Sequence, residues 1–184
     1  SGSLPDTSDV FVSSGATYHL QANDAIGQLY GSGNVNLSHL GNDYDLTVGA
    51  NDRTSSFSGV ISGSGGLIKI GDGTFTLGGD NTYTWYTDIR EGTLRVDGSI
   101  SSGSVGVIVG ADGIYEVANA DSIAALQGAG NVSLLNANEL EVNYSSDSEF
   151  AGVISGSGSL GKGGSGTFTL SGNNTFTGGT NIYS

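Results

Sequence analysis

Apolar residues recur along the chain in short groups set about ten residues apart: Val35/Leu37, Leu46/Val48, Val60/Ile61, Leu67, Phe75/Leu77, Ile89 and Leu94/Val96. Gly, Asn and Asp separate them, so each group reads as a short strand between turns. Alternation within TFTL and TLRV puts Phe75 and Leu77, or Leu94 and Val96, on one face and threonine or arginine on the other. Strands this short cannot each bury a core. Coiling the chain so that successive turns stack roughly 4.8 Å apart satisfies the backbone and builds one continuous apolar interior. The pattern therefore predicts an all-β, helix-free chain folded as a right-handed parallel β-helix, a β-solenoid.

Internal repetition supports that architecture. Phe57 to Ile89, FSGVISGSGGLIKIGDGTFTLGGDNTYTWYTDI, matches Phe150 to Ile182, FAGVISGSGSLGKGGSGTFTLSGNNTFTGGTNI, at 22 of 33 positions without a gap, an offset of 150 − 57 = 93. Upstream, Ala25 to Leu37 is echoed by Ser122 to Leu134 at an offset of 122 − 25 = 97. The reading is one β-helix segment over 1–184 with compound units at about 10–97 and 107–184. A β-sandwich would show similar turn spacing but leaves the long repeat unexplained. At about twenty to thirty residues per coil, the chain supplies on the order of six to nine coils and a rod roughly 30 to 45 Å long. Because LIKIG in one copy becomes LGKGG in the other, Leu67 and Leu160 are expected inside, with Ile68 and Ile70 optional. Asn81 and Asn174 fall in matching turns, where asparagine tolerates a left-handed conformation and bonds its own backbone.

Composition narrows the function classes. There are 33 glycines, one proline and no cysteine or methionine in 184 residues, unlike an ordinary α/β enzyme and without disulfides or thiolate sites. Eighteen acidic against five basic residues give a net charge of −13, which repels phosphate backbones and anionic lipid, so neither nucleic acid nor direct membrane insertion is expected. No apolar run approaches a membrane span. Opening at SGSLPD and stopping at NIYS, the chain reads as a piece of a longer protein.

Catalytic chemistry finds little footing. His19 and His39 have no nucleophile motif or metal-ligand spacing nearby, and no Gly-x-Ser-x-Gly elbow occurs. Gly156/Gly158/Gly161 and Gly161/Gly163/Gly166 have dinucleotide-loop spacing, but no helix pattern follows either. Gly78-Gly79-Asp80-Asn81 lacks the later glycine and aspartate of a calcium-binding β-roll. Arg90 and Arg95, among Asp88, Glu91 and Asp97, form the densest charge cluster and read as salt-linked neighbours on a solvated strand. The expectation is a non-enzyme with no cofactor and no metal.

The stretches FSGVISGSGGL, GDGTFTLGGDNTYT and SGTFTLSGNNTFTGGTNI resemble the β-strand repeat associated with autotransporter passengers, and GSGNVNL and GAGNVSL resemble the spacer preceding it. The resemblance implies an extracellular passenger stalk on the bacterial surface, carried by an outer-membrane barrel outside this chain. Its implied role is adhesion, self-association or display of a distal domain, with a host-cell or matrix surface, a glycan or another copy of the chain as partner. The alternative is a β-helical glycan-binding or glycan-cleaving module.

One departure bears on function. Passengers of this type usually continue Thr-Gly-Gly-Thr after the aromatic, as Thr177 to Thr180 do, whereas the first copy reads Thr84, Trp85, Tyr86, Thr87. Trp85 and Tyr86, beside Tyr83, are the candidate binding residues: an exposed aromatic platform for a sugar face or a partner side chain. The competing reading has Trp85 covering an adjacent coil.

Overall fold

The computed structural model describes residues 3–100 and 106–183; residues 1, 2, 101–105 and 184 of the expected 1–184 segment lie outside the described residues. Strands run from Asp9–Val12 to Thr180–Ile182 with no helix among the described residues. They stack in parallel as a β-solenoid of about 8 turns. A residue commonly pairs with one about a coil further on, as in Leu67↔Thr87 and Ser148↔Phe168.

The strands fall into three stacks. The first runs through Asp9–Val12, Gln28–Gly31, Ser55–Phe57 and Thr74–Leu77, continues in the second halves of Thr87–Val96 and Val107–Val117, and ends at Asn131–Leu134 and Val153–Gly156. The second comprises Thr17–His19, Asn34–Asn36 and Val60–Ser62, then Asp121–Ile123, Glu139–Asn143, Ser159–Gly163 and Thr180–Ile182. The third runs from Asp24–Ile26 through Leu46–Val48 and Leu67–Lys69 to the first halves of the two long strands. It then takes in Leu126–Gly128, Ser148–Phe150 and Phe168–Leu170.

Alternation directs one side of every strand into a common interior. Leu29, Phe57, Leu77, Leu94 and Val132 from the first stack meet Ile26, Leu46, Leu67, Ile89 and Leu126 from the third, all at 0% exposure. Leu67 and Leu160 are inside as expected, and Ile68, the residue that becomes glycine in the second copy, is nearly as buried at 8%. Asn81 and Asn174 take no positive φ, contrary to the left-handed role expected of them. Each bonds its own backbone as expected, Nδ2 donating to the carbonyl of Gly79 or Gly172 two residues earlier, and also spans coils, Oδ1 accepting from the backbone N–H of Ile61 or Ile154. In the second stack Asn81 stands where no regular strand bridges Val60–Ser62 to Asp121–Ile123, and its amide stands in for a ladder bond.

The two sequence copies do not occupy equivalent faces. Val60–Ser62 lies in the second stack and its counterpart Val153–Gly156 in the first. Leu67–Lys69 lies in the third, and its counterpart Ser159–Gly163 in the second. From Phe57 to Phe150 the chain completes four coils and two further faces, so each element of the second copy sits one face behind its twin.

The change of offset also has a structural cause. Asp24 pairs with Leu46 and Asp121 with Leu140, which makes Leu46 and Leu140 equivalent and lowers the offset to 140 − 46 = 94. Between them the first copy inserts a small antiparallel hairpin, Ser38–His39 with Asn42–Asp43. Leu40 and Gly41 form its tip at φ 51° and 78°, the pattern of a two-residue type I′ turn.

Candidate functional site

The hairpin and the Trp85–Tyr86 departure, far apart in sequence, meet at one corner between the second and third stacks. Trp85 sits at a bend just before strand Thr87–Val96 and is 49% exposed. Its ring lies 6.0 Å from that of Tyr86 at 60°, an edge-to-face pair. Tyr86 is anchored rather than presented: its hydroxyl donates to Asp45 Oδ2 at 2.8 Å. Burial, then that hydrogen bond, raises the Tyr86 pKa, so the phenol keeps its proton. The other Asp45 oxygen accepts from the Gly66 N–H at 2.9 Å, and the Asp45 N–H donates to Asn23 Oδ1 at 3.0 Å. At the hairpin's end Asp43 accepts from the Ser64 hydroxyl. Asn23, Asp43, Asp45, Ser64, Gly65 and Trp85 line a hollow of about 260 Å³.

Glycine makes the floor possible. A Cβ on Gly65 would fall 1.8 Å from the Tyr44 carbonyl oxygen, and one on Gly66 3.3 Å from Trp85 Cδ1, so the turn lies flat beneath the indole. At the matching place in the second copy a Cβ on Gly178 would fall 2.2 Å from the Gly158 carbonyl oxygen, leaving no room for a tryptophan on that backbone path.

Tyr83 does not join this surface. It is fully buried, its hydroxyl 2.6 Å from Thr87 Oγ1, and burial raises its pKa, so the platform expected of Tyr83, Trp85 and Tyr86 reduces to the last two. Tyr83 is close to Trp85 in sequence, but the chain bends at Trp85.

Two buried polar devices escaped sequence reasoning. The Tyr115 hydroxyl donates to Asp121 Oδ2 at 2.8 Å, while Asp121 Oδ1 accepts from the backbone N–H groups of Ile100 and Ser122. Desolvation outweighs those bonds and raises Asp121 to a pKa of about 6. Tyr18 and Asp24 form the same pair 97 residues earlier, with Asp24 also accepting from the Leu4 N–H. The signal was present in TYHLQANDAI and IYEVANADSI, whose tyrosine and aspartate coincide at that offset. The second device is a caged ammonium: Lys69 Nζ donates to the carbonyls of Ile70, Gly71 and Glu91 at 2.7, 2.7 and 3.2 Å, and burial lowers its pKa to about 8. In the second copy Lys162 Nζ donates to the carbonyls of Tyr144, Gly163 and Gly164.

Elsewhere the arginines of the charge cluster are paired locally. Arg95 bridges Asp97 and Glu116, Arg90 holds Asp88 at 2.7 Å, and no group of three or more metal-ligating side chains occurs among the described residues. His19 lies exposed on strand Thr17–His19 and His39 half-buried in the hairpin. No helix among the described residues is long and apolar enough to cross a membrane.

Residues 67–96 and 160–184 match the passenger-associated transport repeat, and both segments begin at the buried leucine that precedes a caged lysine. The chain is a repeat-bearing segment of an autotransporter passenger. It is similar to the adhesin BmaC autotransporter of Brucella suis biovar 1 (35% identity over 127 residues, 65% of this chain and 4% of that protein). An extracellular serine protease of Serratia marcescens is 34% identical over 115 residues, 55% of this chain and 11% of that protein. The Neisserial autotransporter lipoprotein NalP of Neisseria meningitidis serogroup B is 46% identical over 56 residues, 30% of this chain and 5% of that protein. The chain thus spans no more than about a tenth of these relatives' length. No solved structure matches it significantly. The passenger class places this segment outside the cell or at its surface, attached through an outer-membrane translocator.

Proposed function

We propose that this passenger segment is a rigid, non-catalytic stalk with an adhesive site on its flank, where Trp85 and Tyr86 meet the hairpin. The observation that carries the reading is coincidence in space. Of the two places where the first copy departs most from the second, one adds a hairpin and the other replaces Gly178-Gly179 with Trp85-Tyr86, and both line the same corner. A spacer needs only a regular polar exterior, whereas an adhesin must present a shaped patch. The similarity to an adhesin points the same way. The repeat match and the local pairing of the charged groups support the non-catalytic reading over a glycan-cleaving module.

The test compares binding of the folded 184-residue chain to host cells and matrix-coated surfaces with that of the Trp85→Gly/Tyr86→Gly double variant, which restores the Thr-Gly-Gly-Thr turn. Saturable binding by the parent and its loss in a variant that still melts cooperatively is the expected result. Equal saturable binding by both would remove the site from this corner, and no binding by the parent would leave a stalk alone.

A further inference from the structure

We propose that the Trp85 corner binds a neutral saccharide ring, with the hairpin as one wall of the site; this deepens, and rests on, the adhesive reading above. The ligand class follows from what the corner has left to offer. Asn23 uses its Oδ1 on the Asp45 N–H, both Asp45 oxygens are engaged, and one Asp43 oxygen accepts from Ser64. The side-chain inventory leaves the Asn23 amide nitrogen as a donor and the second Asp43 oxygen and Ser64 Oγ as acceptors. Hydroxyl groups, which both give and accept, match such a mixed rim; an ammonium or guanidinium, which only gives, leaves the amide unanswered.

The indole supplies the apolar half. A half-exposed tryptophan face beside a polar rim suits a ring that has a C–H face and hydroxyl edges. Lys and Arg are missing from the lining and two aspartates are present, which turns away sialic acids and sulfated sugars. A hollow of about 260 Å³ falls just under the range of about 300–1,000 Å³ that holds drug-sized ligands, which fits one ring rather than a chain.

The hairpin carries a second mark of a built site. Leu40 at its tip is 88% exposed and holds φ 51°, a left-handed conformation that a leucine adopts only at a cost. Local strain kept at an exposed position is a recurrent sign of function.

Trp85 is the chain's single tryptophan, so its emission reports on this corner alone. The experiment titrates the 184-residue chain with methyl glycosides of the neutral hexoses, pentoses, 6-deoxyhexoses and N-acetylhexosamines, and in parallel with tetramethylammonium. A saturable emission change with at least one glycoside, insensitive to salt, is expected. Asp43→Asn, an exposed change that leaves the fold alone, should weaken it at least about tenfold, because a charge-assisted bond becomes a neutral one. Replacing residues 38–45 with the shorter corner of the second copy should abolish it. No response to any glycoside, or a response to the cation only, would overturn the saccharide assignment. Surface binding that persists and is not competed by glycosides would sink this inference while leaving the adhesive reading standing; loss of the adhesive reading would show instead in the surface assay, independently of the emission titration.

Discussion

The most informative residues of this chain are polar ones placed where apolar ones are expected. Lys69 and Lys162 are both under a tenth exposed and spend their ammonium groups on backbone carbonyls at coil corners. The lysine of the repeat signature is therefore a cap for carbonyls that the turning chain leaves without ladder partners. Lys69→Met should cost about 1–3 kcal/mol, the penalty for orphaned buried acceptors, read as a lower urea midpoint at unchanged slope. Asp121 gives a pH signature. Its carboxyl is raised in the folded state from 3.8 to about 6, so the folded chain binds more protons than the unfolded one between those values, and stability falls as pH rises through that window. The contribution is on the order of 3 kcal/mol at most. Melting temperatures measured from pH 4 to 7 should show that decline, and Asp121→Asn should flatten it. None of these burials was legible from single residues, because charge argues for the surface until coil-to-coil stacking shows which carbonyls and N–H groups need partners.

At the level of strands and corners the sequence was largely transparent. Period-two alternation placed Phe75, Leu77, Leu94 and Val96 inside, and the turn residues marked the corners. Adjacency in sequence says less where the chain bends: Tyr83 lies in the core and Trp85, two residues on, is half exposed. Corners also explain much of the glycine. A Cβ on Gly59 would fall 1.7 Å from the Gly33 carbonyl oxygen one coil before, and Gly152 and Gly130 repeat the clash at 1.8 Å in the second copy. The Gly33 backbone and the fully buried Phe57 ring, 2.7 Å from the same Gly59 Cβ, leave little able to give way. Gly59→Ala should thus destabilise by several kcal/mol, on the order of 3 or more, and show in thermal melts as loss of the cooperative transition. The hairpin tip runs the other way. Leu40→Asn, a residue suited to φ > 0, should stabilise by about 1 kcal/mol and raise the melting temperature by a few degrees, measured by circular dichroism. The hairpin was not visible as an element because two-residue strands carry no periodic signal; its trace in the sequence was the unexplained drop from 97 to 93.

Across the whole molecule, the repeat length and the composition announced a solenoid, while the phase between copies could be read only from strand partners. An acidic rod of net charge −13 repels its own kind, so any lateral association should strengthen with salt up to about 0.15 M, checked by light scattering across that range. The unequal phase has its own consequence. Four coils and two faces per copy, at roughly 4.8 Å per coil, advance the rod by roughly 22 Å and turn it by a third of a revolution. A passenger that kept this phase would return to the same bearing only at every third copy. Features given once per repeat would wind around the shaft like the steps of a spiral stair, so a rod lying on any surface, whichever way it rolled, would set about every third step against it.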